Sequence, residues 1–135
     1  MVDSAGVHRG ERIVAFAAHA NGIHEKGGHM GLISIAAFKP KPGMEEELLR
    51  VIADRLPLLR RLGFATDREA MLMKSKDGVV IQISEWVDNE AIRRAHETPE
   101  VLTLWERFDA CSDYVKLEAI AECREDFATF DALDG

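Results

Sequence analysis

Cysteine is scarce in this chain. There are two, Cys111 and Cys123, with no CxxC spacing and no companion histidines, which excludes the common zinc-ligand patterns and a disulfide framework. Two thiols in an acidic chain suit a reducing cytoplasm, each expected to be buried or half-buried. Long apolar runs are missing as well. Nothing approaches the 18 consecutive apolar residues that a transmembrane helix needs. Positive charge is in deficit, with 17 Lys and Arg against 24 Asp and Glu and a formal charge of −7. That balance argues against nucleic acid and anionic membrane as principal partners. Arg50, Arg55, Arg60 and Arg61 come nearest to a basic patch, but they stand on a helix rich in glutamate and leucine and read as a solvated face. There is no GxGxxG, no P-loop, no internal repeat and no low-complexity tract. Outside residues 1–30 a single histidine, His96, remains, and Tyr114 is the chain's one tyrosine.

What is present divides the 135 residues into an extension (1–30), a core (31–121) and an acidic tail (122–135). A length of this order is a one-domain length. The extension holds five of the ten glycines and four of the five histidines (His8, His19, His24, His29), with one apolar run, Ile13–Ala18, too short for a secretion signal. The core opens on Leu32–Phe38, an apolar stretch bounded by Gly31 and Lys39-Pro40, which predicts a strand. From Met44 a helical pattern places Leu48, Leu49, Ile52, Leu56, Leu59 and Leu62 on one broad face. Glu45, Glu46 and Glu47 suit the positive end of the helix dipole, and Gly63 is the expected C-terminal cap. Pro57, inside the pattern, predicts a kink or break near Ala53–Leu56.

Strands are expected at Ala70–Lys74 and Val79–Trp86, joined by a turn whose Asp77-Gly78 step signals a hairpin. Alternation puts Val79, Ile81, Ile83 and Glu85 on one face and Val80, Gln82, Ser84 and Trp86 on the other. Asp88 caps a short helix on which His96 shares a side with Ile92 and Ala95. Thr98-Pro99 opens the next helix, with Val101, Leu104, Trp105, Phe108 and Cys111 as its buried stripe. A last strand is expected over Tyr114–Ala121. The order βαββαβ is the split βαβ, an α+β ferredoxin-like arrangement with a four-stranded antiparallel sheet. Two helices cover only one face of such a sheet. The other, expected to carry Trp86 and Val80, is too apolar to stay wet, and a symmetric homodimer is the simplest cover, with Trp86 as interface anchor. Phe127, Phe130 and Leu133 in the tail form a further docking face, on this subunit or its neighbour.

Three segments together resemble the antibiotic biosynthesis monooxygenase-like domains of the dimeric α/β-barrel superfamily: Lys39–Glu46 after the first strand, Leu62-Gly63-Phe64 before the hairpin, and Glu85–Val101 with its Glu-Trp, Ala-His and Thr-Pro-Glu-Val steps. The resemblance spans about 31–121. It implies subunits pairing sheet to sheet into a dimeric barrel, each with a pocket between sheet and helices. It also implies oxygenation of a phenol- or quinol-type aromatic with O2 as co-substrate and no cofactor or metal. Within that frame His96 is the expected base, with Glu85 orienting it. The alternative is a helix-end histidine beside an exposed strand terminus. Trp105, Phe108 and Tyr114 are candidate walls for a flat ligand, although the spacing of the first two also fits plain core. A non-catalytic ligand-binding or regulatory module is the competing function. Haem degradation, found among relatives, calls for a histidine that the helix after Pro99 lacks.

Overall fold

In a computed structural model residues 30–134 are described; the apolar run and the histidines of the extension lie outside them. Strand β1 (Leu32–Pro40) leads into helix α1 (Glu45–Arg61), followed by β2 (Met71–Lys74) and β3 (Val80–Trp86). Helices α2 (Asn89–Ala95) and α3 (Pro99–Cys111) precede β4 (Ser112–Tyr114), two 3-10 turns and a two-residue β5 (Asp131–Ala132). The sheet is antiparallel throughout, in the order β4-β1-β3-β2-β5. Its first four strands follow the ferredoxin-like order.

Local chemistry accounts for the helix ends. Three glutamates occupy the first turn of α1 and Arg60 and Arg61 its last, each matching the dipole. Gly63 follows at φ +81, the left-handed conformation a side chain disfavours. Asp88 caps α2 by accepting a hydrogen bond from the Ala91 amide at 2.8 Å. Pro99 begins α3, as expected, but the Thr98 hydroxyl donates back to the Arg94 carbonyl instead of capping.

Several expectations need correction. Helix α1 is not divided at Pro57 and continues to Arg61; Pro57 and Ala53 are exposed, so water can satisfy the carbonyl that the proline leaves without a donor. The last core strand ends at Tyr114, not Ala121. After Val115 the chain turns through Leu117–Ala119 and Ala121–Arg124 and carries Ile120 across the sheet, where it is buried with Ala37, Val79 and Ile81. The sheet gains a fifth strand because the tail returns to its own domain. Met73 and Lys74 pair with Ala132 and Asp131, and the Leu133 amide donates to the Leu72 carbonyl at 2.9 Å. Phe130 packs beneath the sheet and Leu133 against the helix-side core, while Phe127 is 89% exposed. Cys123 is exposed, whereas Cys111 is buried; both are free.

The main correction concerns the faces of the sheet. Val80 lies in the core with Leu48, Val51, Ile52, Phe38 and Phe108, and Trp86 lies with Leu56, Leu59, Ala95 and Val101. Both therefore point into the helix layer. Val79, Ile81, Ile83 and Glu85 take the opposite face, joined in register by Ile33, Ile35 and Ala37 from β1 and Met71 and Met73 from β2. The final turns and Phe130 cover one part of that outer face. Ile33, Ile35 and Met71 remain 56%, 47% and 64% exposed.

Candidate functional site

An arginine is the least expected resident of the helix layer. Arg55 stands one helical turn after Val51 and one before Leu59, both buried, so α1 must carry it inward. It is only 6% exposed, which overturns its reading as part of a solvated face. Its Nη1 donates to Gln82 Oε1 at 2.9 Å and to Ser84 Oγ at 3.4 Å. Its Cζ lies 5.9 Å from the centroid of the Trp86 ring, a cation–π distance. These three partners are alternate residues of β3, so strand periodicity delivers them to one helix end to end.

The electrostatics are one-sided. A guanidinium taken out of water loses several kcal/mol of hydration, which is normally offset by a carboxylate. Among the described residues no Asp or Glu forms an ion pair with Arg55, and neither Nε nor Nη2 makes a hydrogen bond. Burial pushes the guanidinium down to about 10, with Tyr114 acting weakly in the other direction; it is still a cation at neutral pH. The Tyr114 phenol does not neutralise it. Burial and Asp109 raise that hydroxyl above its ordinary value, outweighing the pull of Arg55.

Opposite this cluster runs β1. Ser34 pairs with Ser84, Ala36 with Gln82 and Leu32 with Trp86, and all three β1 residues are half-buried on the helix side. The helix layer thus closes fully over β3 and incompletely over β1. The surroundings combine indole and aliphatic groups, neutral acceptors and donors in Gln82 and Ser84, and one charge.

The residues singled out from sequence separate. Glu85 and His96 do not meet. The buried Glu85 carboxylate is on the outer face, accepting from the Gly31 amide at 2.9 Å, Thr66 Oγ1 at 2.8 Å and Arg68 Nε at 3.0 Å. Burial pushes its pKa up, but the bonds from Thr66, Gly31 and Arg68 outweigh this and hold it below the ordinary value. A Cβ on Gly31 would fall 2.0 Å from the Trp86 carbonyl oxygen, so only glycine permits this latch between the start of β1 and the end of β3. His96 is exposed at the end of α2. Its Nδ1 lies 3.0 Å from the Ile92 carbonyl oxygen, which can only accept, so Nδ1 carries the proton and Nε2 of the neutral ring is an acceptor. The ring meets half-buried Trp105 edge to face, centroids 4.8 Å apart. Phe108 is core, stacked on Phe38 at 4.4 Å. Tyr114 is exposed at the sheet edge, 5.6 Å from the Phe38 ring. Trp86 lines the buried cluster and is not at a subunit surface.

The cluster that sequence reading missed had a signal. Arg55 falls on the buried stripe of α1, and Gln82-x-Ser84-x-Trp86 is a polar and aromatic set on one strand face; either alone is ordinary, and the two together are complementary. Among the described residues no group of three or more His, Cys, Asp and Glu is placed to hold a metal ion, and no helix is long and apolar enough to cross a membrane.

No protein-family model and no curated protein sequence matches the chain. Among solved structures it is similar to SnoaB, a cofactor-independent oxygenase from Streptomyces nogalater, at 22% identity and a TM-score of 0.52, over 62% of this chain and 84% of that one. At such identity the likeness concerns the fold alone.

Proposed function

We propose that this protein is a cofactor-independent monooxygenase-like enzyme acting on a phenol- or quinol-type aromatic with O2. The observation that carries the reading is the Gln82, Ser84 and Trp86 face of β3, a polar and aromatic surface turned into the helix layer beside the incompletely covered β1. The similarity in fold to an oxygenase supports it. In this chemistry the protein binds an electron-rich ring, helps remove its proton and lets the anion reduce O2. The substrate supplies the electrons; one oxygen atom stays on the ring as a carbonyl and the other leaves as water. His96, with Nε2 available to accept a proton, is the proposed base, and Trp105 the aromatic wall beside it. Glu85 has no part in this proposal, since it is held on the other face.

The proposed assembly is a homodimer in which the outer faces, with Ile33, Ile35 and Met71, cover each other. The two free thiols suit the cytoplasm. Oxygen uptake tests the function. Purified protein is incubated with a panel of quinols and anthrones, wild type beside His96→Ala. Uptake above background that falls by about 10²-fold or more in the variant is expected for loss of a general base. Equal rates would remove His96 from the mechanism. A second reading, a ligand-binding module without catalysis, is favoured by one observation: the acid–base pair of Glu85 and His96 does not form. Tight binding of these aromatics with no uptake would establish it.

A further inference from the structure

We infer that Arg55 is a preformed anion subsite, and that the ligand is a flat aromatic carrying an anionic oxygen, as a ring carboxylate or as an ionised enol or phenol, that reaches the Arg55 guanidinium. This deepens the reading of the same site as one for aromatics, and it rests on that reading only for the flat ring.

Arg55 is more than nine-tenths buried, yet both of its hydrogen bonds leave from Nη1 and both end on neutral oxygens. A guanidinium offers five N–H donors in a planar fork. Those on Nε and Nη2 have no acceptor among the described residues, and a buried donor without a partner costs about 1–3 kcal/mol. The Trp86 ring faces the cation at 5.9 Å; it supplies π density and no lone pair. Substituting a methionine of similar length would remove the buried charge and the unpaired donors, but it would also leave the buried Gln82 Oε1 and Ser84 Oγ without their donor. The contacts to Gln82 and Ser84 account for Nη1 only, and the donors on Nε and Nη2 are left without a structural role.

The fork geometry suits two parallel bonds to one carboxylate or a pair of vicinal oxygens. The indole of Trp86 stands on one side of the guanidinium, and half-buried Leu32, Ser34 and Ala36 lie across from β3 on the same side of the sheet. A ring lying along β1 would place its anionic edge toward Arg55 and its apolar face against Leu32 and Ala36. Tyr114, held neutral, adds no competing anion.

The test measures selectivity of binding. Affinities of the full chain for 1-hydroxy-2-naphthoate, its methyl ester and 1-naphthol are measured by titration calorimetry at pH 7 and pH 9.5, with tryptophan fluorescence as a second readout. Arg55→Met and Arg55→Lys are compared with wild type, and thermal melts confirm that each is folded. Wild type is expected to bind the carboxylate at least about tenfold more tightly than the ester. Arg55→Met should bind both alike while remaining folded at the temperature of the titration. Arg55→Lys, which keeps the charge and loses the fork, should keep a reduced preference. A carboxylate source predicts the preference at both pH values. An ionised-phenol source predicts instead that 1-naphthol overtakes the ester only at pH 9.5. Equal affinities for all three in wild type, no binding of any, or a preference that survives in Arg55→Met would overturn the subsite. Neutral-ring binding with oxygen uptake would sink the subsite and leave the oxygenase reading standing. Carboxylate-selective binding without uptake would do the reverse.

Discussion

Glu85→Gln is the substitution whose cost the geometry sets most closely. The buried carboxylate accepts from the Gly31 amide, the Thr66 hydroxyl and Arg68, and thereby ties the start of β1 to the end of β3 and to the loop after α1. Hydrogen bonds to a charged group contribute about 1.5–3 kcal/mol each. The Arg68 side chain is 45% exposed, so its share is screened to about 1 kcal/mol or less. Glutamine keeps one carbonyl acceptor and turns an NH2 toward a remaining donor, so one shielded bond is lost and its donor stays unpaired. The sum is roughly 2–4 kcal/mol, a fall in melting temperature of about 10–20 °C for a domain near this size. The pH dependence follows from the depressed carboxyl. Because the folded pKa lies below the unfolded value of 4.5, the stabilisation is complete above 4.5 and disappears as the pH falls through the folded value. Melting curves of wild type and variant at pH 7, 5 and 3 should therefore show a wide gap at 7 that narrows toward 3. A gap under about 2 °C at pH 7, or one that stays constant to pH 3, would refute the reasoning.

Two more outcomes are expected. Pro57→Ala restores a donor at an exposed turn of α1 and should raise stability by about 1–2 kcal/mol, less than the ~3 kcal/mol helix-interior penalty because proline also restrains the unfolded chain; the midpoint of urea unfolding measures it, and a lowered midpoint would show that the proline is needed. Ile35→Lys places a charge at the centre of the exposed outer face and should give a monomer by light scattering at micromolar concentration, with the melting temperature of the monomer little changed; an unaltered oligomer would place the subunit contact elsewhere.

Much of the fold was legible because its signals are local. Gly63, Asp88, Pro99 and Asp77-Gly78 each mark an end or a turn through their own backbone chemistry, and the structure has elements at those boundaries. The last core strand was misread because a period of two continues past Tyr114, while the chain leaves the sheet to bury Ile120, a long-range gain that no local pattern encodes. The faces of β3 were inverted for a related reason. Val79, Ile81 and Ile83 look like the core side, and Gln82 and Ser84 like the wet side. Arg55 reverses this: a cation drawn inward by the helical period of α1 needs acceptors, and β3 supplies them. The expected pair of Glu85 and His96 depended on the inverted assignment and went with it. His96 follows the last residue of α2 and is exposed there, its ring against half-buried Trp105.

Strand β3 sends Ile81 and Ile83 outward and Gln82 and Ser84 inward within four consecutive residues. Neighbouring side chains on a strand share a rigid peptide unit and sit about 3.4 Å apart along it. The Ile120 and Phe130 side chains that pack around Ile81 and the Arg55 guanidinium that meets Gln82 and Ser84 thus bear on opposite sides of one strand.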